Sequence, residues 1–102
     1  MNGIDEIIAR VFNDPNKVKH IFHPKHNLDK LGSPNEAIEK ITKAVLDQNQ
    51  TGGILPKSGP FTITRQIDGY IVEIRAAIIN GELRYGTLFL LIERGEINDA
   101  RK

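Results

Sequence analysis

The chain contains no cysteine among its 102 residues. That excludes disulfides, a thiolate nucleophile and cysteine-bound zinc together. A domain of this size folds without covalent staples, so the lack costs no stability. No apolar run approaches the roughly 20 residues that a membrane helix needs. No basic leader with an apolar h-region opens the sequence, so no secretory signal is expected. An excess of either charge is also missing, since 14 lysines and arginines face 13 aspartates and glutamates. The net charge of +1 does not by itself point to a nucleic-acid partner. Repeats and low-complexity segments are absent. What remains is a composition of 39% hydrophobic and 26% charged residues, which excludes disorder and fits one globular domain over residues 1–102. Function has to be sought in local arrangement.

Ile4, Ile7, Ile8, Val11 and Phe12 recur at helical spacing, with Asp5 and Glu6 in the first turn where the dipole favours them, so a helix is expected over Gly3–Asn13. Asp14-Pro15 ends it and starts a second, short helix, with aspartate as N-cap and proline at the first helical position. Pro24 stops that helix at His23, because the residue before proline is pushed out of the α region. A polar stretch then runs to Gly32, anchored by Leu28 and Leu31. Ser33-Pro34-Asn35-Glu36 reads as a capping box opening a third helix. Ala37, Ile38, Ile41, Ala44 and Val45 form its buried stripe, and Glu36–Lys40 and Glu39–Lys43 are expected ion pairs on its outside.

The period changes after Asp47. Gln48–Pro60 is a long linker, and three strand-like runs follow, Phe61–Ile67, Tyr70–Ile79 and Glu82–Glu93. Asp68-Gly69 and Asn80-Gly81 separate them, and such dipeptides are the strongest short hairpin signals. The polar tail, residues 94–102, is expected to fray or form a short turn. The fold class is therefore α+β: helices within residues 3–47 packed on one face of a small twisted antiparallel meander within residues 61–93.

Two tight turns fix a register. Counting without irregularities, Ile78 faces Leu83, Ala76 faces Tyr85, Ile74 faces Thr87 and Val72 faces Phe89. The helices would cover this largely apolar face, on which Arg65 and Thr87 are the exceptions. The opposite face carries Thr62, Thr64, Gln66, Glu73, Arg75 and Arg84, with Arg75 between Thr62 and Gly86. Such a face can be merely solvated. It is also what a phosphate-handling site needs.

All three histidines, His20, His23 and His26, fall within seven residues, among Lys17, Lys19, Lys25 and Lys30. Imidazole is the side chain poised for proton transfer near neutrality, and basic neighbours suit phosphate. A plain reading is a solvated helix end whose charges complement the dipole. A metal site is disfavoured, because Pro24 breaks the helix that would align the imidazoles and no carboxylate or cysteine completes a shell.

Lys19-His20-Ile21-Phe22, then Lys25-His26-Asn27-Leu28, an amphipathic helix, and a meander ending Leu83-Arg84-Tyr85-Gly86-Thr87-Leu88-Phe89 resemble C-terminal toxin domains of bacterial polymorphic toxins. These include contact-dependent growth inhibition proteins, grouped with the barnase/EndoU/colicin/RelE ribonucleases. The resemblance spans roughly residues 17–93 and implies a barnase-like fold and metal-independent RNA cleavage, frequently of tRNA, with no cofactor. That superfamily usually has a further strand, which the linker or the tail would supply. The positions carried over are His20, His26, Arg84 and Thr87. Thr87 fits only if a bulge at Gly86 turns it to the polar face, and glycine inside a strand often marks one.

Metal-free RNA cleavage needs a base for the ribose 2′-hydroxyl, an acid for the departing 5′-oxygen and cations on the phosphorane. His26 and His20 are candidates for base and acid, with Glu73 as alternative base. Arg75, Arg84 and Lys25 would hold the scissile phosphate, with Thr87 donating one more hydrogen bond, and Lys19 would join Lys25 in binding RNA phosphate. The resemblance further implies a cognate immunity protein and delivery, secreted or at the cell surface, as part of a larger toxin acting in the target cytoplasm. Two alternatives stand beside it: a metal-dependent nuclease, which lacks an acidic cluster here, and a non-catalytic module such as an immunity or antitoxin-like or nucleic-acid-binding protein. Immunity proteins often carry strong acidic charge, which this chain does not.

Overall fold

The computed structural model describes residues 3–47 and 52–91. Three helices, α1 (Ile4–Phe12), α2 (Pro15–Ile21) and α3 (Pro34–Leu46), precede three strands, β1 (Gly59–Ile67), β2 (Tyr70–Ile79) and β3 (Glu82–Leu90). Every strand pairs antiparallel with its chain neighbour, in the order β1-β2-β3. The molecule is the α+β arrangement expected, a meander with helices on one face. No described helix is long and apolar enough to cross a membrane.

The local signals act as their chemistry dictates. The Asp14 side chain accepts from the Lys17 amide at the start of α2. At α3 the Ser33 hydroxyl accepts from Glu36 N–H while the Glu36 carboxylate accepts from Ser33 N–H, a reciprocal capping box. The bond from Ser33 N–H holds the Glu36 carboxyl below its ordinary value. Lys40 donates to Asp68 at 2.6 Å and to the Leu31 carbonyl at 2.8 Å, tying α3 to the first hairpin, while Glu36 acts on it as a charged neighbour. The Lys43–Glu39 pair forms at 3.1 Å. Between α2 and α3 the polar stretch makes two 3-10 turns, Pro24–His26 and Leu28–Leu31, hinged on Asn27 at φ 60°. Leu28 and Leu31 are buried, as their anchoring role requires.

Both hairpins close through two residues at positive φ, Asp68-Gly69 and Asn80-Gly81, the sign of type I′ turns. The core lies between the sheet and the helices. Ile21, Ile38, Ile41, Val72, Ile74 and Leu88 are wholly buried there, and side chains of this size contribute about 1.5–3 kcal/mol each. Arg65 is also wholly buried on this face. Its guanidinium donates to the carbonyls of Ala44 (2.8 Å), Val45 (3.5 Å) and Thr64 (2.9 Å). The last carbonyls of a helix lack donors of their own, and a cation placed there suits the dipole. Arg65 thus ties β1 to the end of α3.

Beyond Asn80-Gly81 the register follows the simple count only as far as Ala76↔Tyr85. A bulge between Arg75 and Ala76 then shifts it, so Thr87 pairs with Arg75, Leu88 with Ile74 and Leu90 with Val72. The expected Ile74–Thr87 and Val72–Phe89 pairs are corrected by one residue. Gly86 is that extra residue, and β3 turns over at it: Tyr85 points inward, buried, while Thr87 joins the open face. The linker lies along β1, with Thr64 N–H donating to the Gly52 carbonyl at 2.9 Å; its last two residues, Gly59 and Pro60, begin β1, and it adds no further strand among the described residues. The part of the linker over residues 48–51, the end of the third run to Glu93, and the tail lie outside the described residues.

Candidate functional site

Three elements converge on the bulge. Strand β2 supplies Arg75 and Glu73, β3 supplies Thr87, Phe89 and Arg84, and α2 with the turn after it supplies His20, His26 and Lys17. Helix α2 lies against β3 because Val18 and Ile21 pack into the core. Lys17, His20 and Ile21 stand at i, i+3 and i+4, so burying Ile21 carries the lysine and the imidazole to the strand.

His20 reaches across to Thr87, its Nε2 lying 3.1 Å from the hydroxyl oxygen. Thr87 is the cross-strand partner of Arg75, whose other neighbour is Thr62. Arg75 is held from two sides. Its Nε donates to Glu73 at 2.6 Å, and its guanidinium carbon sits 5.1 Å from the centre of the Phe89 ring, a cation–π distance. Phe89 in turn faces the His26 ring at 6.1 Å, and His26 meets His20 edge-on at 5.6 Å. His20, His26, Phe89, Arg75 and Thr87 thus form one continuous cluster. The two regions singled out separately, the histidine corner and the polar sheet face, adjoin.

The histidines differ in setting. His20 is exposed, whereas His26 is only 6% accessible, against the expectation of a solvated helix end. The reason is local: the first 3-10 turn folds the chain back, and His26 Nδ1 meets the Ile21 carbonyl at 2.7 Å, satisfying the end of α2. A carbonyl only accepts, so Nδ1 carries the proton and Nε2 of the neutral ring keeps its lone pair. His23 is exposed and spends its Nδ1 on the Lys25 amide, capping its own turn. Among the described residues no three histidine or acidic side chains are grouped as metal ligands.

An open groove of about 580 Å³ runs over the polar face beside this cluster. Lys17, Thr62, Arg75, Arg84 and Thr87 are among its lining residues, with Ala77 and Gly86 leaving it room. Arg84 stands farther along it, paired with Glu82 at 3.1 Å. Lys19 and Lys25 are exposed and do not line it. Lys17 takes the place expected of them. Its ammonium donates to the Tyr85 carbonyl at 2.7 Å, the backbone acceptor just before the bulge. The helical spacing Lys17–His20 was the signal that would have found it. Phe89 was hidden by the same one-residue shift that displaced Thr87.

Chemically the arrangement offers an exposed imidazole joined to a hydroxyl, a second imidazole behind it with a defined tautomer, and cations on an open surface. These are the means to move a proton next to a bound oxyanion. No protein-family model, curated protein or solved structure matches this chain, so what the groove does rests on its own chemistry.

Proposed function

We propose that the chain is a metal-independent endoribonuclease. The observation that carries this is the His20–Thr87–Arg75 row, in which an exposed imidazole meets the hydroxyl that, with the guanidinium, lines an open groove. His26, with Nε2 as its basic nitrogen, takes the proton of the ribose 2′-hydroxyl. The 2′-oxygen attacks phosphorus, and Arg75 and Thr87 hold the oxygens on which negative charge grows. His20 gives a proton to the departing 5′-oxygen as the P–O5′ bond breaks, leaving a 2′,3′-cyclic phosphate. Glu73, tied to Arg75, serves mainly to orient it. DNA lacks the nucleophile and is left intact.

The toxin setting rests on the resemblance carried by Lys19–Leu28 and Leu83–Phe89. In that reading tRNA in a competing bacterium is the target, delivery is as part of a larger secreted or surface protein, and a cognate immunity protein protects the producer. The test is RNA cleavage by purified protein in excess chelator. Products ending in 2′,3′-cyclic phosphate are expected. Activity lost to chelator and restored by a divalent ion overturns the proposal, and RNA binding without cleavage favours a non-catalytic module.

A further inference from the structure

A second cavity, of about 100 Å³, adjoins the groove on the outer side of β3. Lys17, Arg84 and Tyr85 line both, so the two are neighbours. The smaller one is also lined by Arg10, from α1. Its space is that of about three water molecules, on the scale of one phosphate group.

Arg10 is an unexpected residue to find there. Its Nη2 lies 3.2 Å from Glu82 Oε2, while the other oxygen of the same carboxylate takes Arg84 Nη2 at 3.1 Å. Glu82 thus bridges two guanidiniums and holds them side by side. Arg10 Nη1 is buried and has no acceptor among the described residues. A buried guanidinium N–H is a strong donor that native structures seldom leave unmatched. Among the described residues Asp14 is the one carboxylate lining the cavity, and its side chain accepts from the Lys17 amide at the cap of α2.

We infer that Arg10, Lys17 and Arg84 form a second subsite for an RNA backbone phosphate, next to the one at Arg75 and Thr87. This rests on the ribonuclease reading of the groove and adds the path of the substrate. The strand leaves the scissile position along Lys17 and crosses the β3 edge toward α1. A dinucleotide, having one phosphate, leaves the subsite empty, whereas a longer strand fills it.

The experiment measures binding, by fluorescence anisotropy, of 2′-O-methylated oligonucleotides, which lack the nucleophile and stay intact. An octamer and a dinucleotide are titrated at several salt concentrations against wild type, Arg10→Gln and Glu82→Gln. For Arg10→Gln, octamer affinity should fall about five- to tenfold at low salt, with the slope of log affinity against log salt reduced by about 0.7, one phosphate contact on single-stranded nucleic acid. Dinucleotide affinity should not change. Glu82→Gln removes the same ion pair from the other side, so it should keep the full salt slope. The inference is overturned if Arg10→Gln retains the wild-type slope, weakens both oligonucleotides alike, or is matched by Glu82→Gln. Wild type that cleaves unmodified RNA while Arg10→Gln binds normally sinks this inference alone. Wild type that neither binds nor cleaves RNA sinks the ribonuclease reading with it.

Discussion

His20 on α2 and Thr87 on β3 lie 3.1 Å apart, nitrogen to oxygen, and this bond joins the histidine corner to the sheet face. His20 is exposed, bonded to Thr87 and edge-on to the His26 ring, so its loss should be felt chiefly in chemistry. His20→Ala should reduce RNA cleavage by about two to four orders of magnitude, the usual contribution of an acid–base group, with melting unchanged. Thr87→Val should cost about tenfold or more, since it removes both the phosphate donor and the partner of the imidazole. Wild-type cleavage by His20→Ala would place the chemistry elsewhere.

His26 should behave differently because it is buried on the Ile21 carbonyl. His26→Ala leaves that carbonyl without its donor and should cost about 1–3 kcal/mol, lowering Tm by about 4 °C or more. In His26→Asn the amide nitrogen takes the position of Nδ1 and should restore much of the stability. It has no counterpart of Nε2, so cleavage should stay low. Full activity in His26→Asn would show that the ring acts only through its fold.

Arg75 is oriented by Glu73 and by the Phe89 ring. Arg75→Ala should lower catalysis and flatten the salt dependence of RNA binding together, because arginine supplies both charge and hydrogen bonds. Glu73→Gln leaves the cation in place but loosens it. A loss of about tenfold or less, smaller than for Arg75→Ala, is expected in single-turnover cleavage. A loss as large as that of His20→Ala would instead make Glu73 the base.

Gly86 sets the bulge. A Cβ there would stand 3.1 Å from the Arg75 carbonyl oxygen, closer than ordinary contact, so the strands must part by a few tenths of an ångström. Gly86→Ala should cost about 1 kcal/mol of stability and about 10- to 100-fold in cleavage, since small displacements between reacting groups are expensive. Chemical shifts of Thr87 and His20 should move together in this variant.

The capping box gives a pH signature. The folded-state pKa of Glu36 lies below its ordinary 4.5, so its contribution to stability is present above that value and disappears as pH falls through the lower, folded one. Glu36→Ala should therefore be less stable than wild type at neutral pH. The gap in Tm should close on acidification below the ordinary carboxylate range. A gap that persists there would mean the carboxylate charge is not what matters at this cap.

Much of the fold was written locally. Asp14-Pro15, Ser33 with Glu36, and the two Asx-Gly dipeptides each act within a few residues, so their effect is read from the sequence directly. The open sheet face was legible for the same reason, because alternation propagates from a fixed turn. The simple count failed at one point, where Gly86 adds a residue and Thr87, Leu88 and Phe89 shift with it; the glycine inside the strand was the signal for that bulge. His26 escaped for another reason. Its burial depends on a 3-10 turn folding back on α2, a tertiary event in a stretch whose composition is that of a surface loop. Arg10 was beyond reach altogether, since only the packing of α1 beside β3 brings it to Glu82.

The meander pairs each strand only with its neighbour in the chain, through two-residue turns. Its strand-to-strand contacts are therefore short-range in sequence, the kind that close at little entropic cost. The His20–Thr87 contact, by contrast, closes a separation of 67 positions. A chain with its sheet formed and α2 still undocked has Arg75 and Thr87 in register and no imidazole beside them. The cluster is therefore complete only when α2 is docked on β3, and no fragment lacking either element contains all of it. On the proposed reading, RNA cleavage would require α2 to be docked on β3, and loosening that docking should silence the groove while leaving the sheet intact.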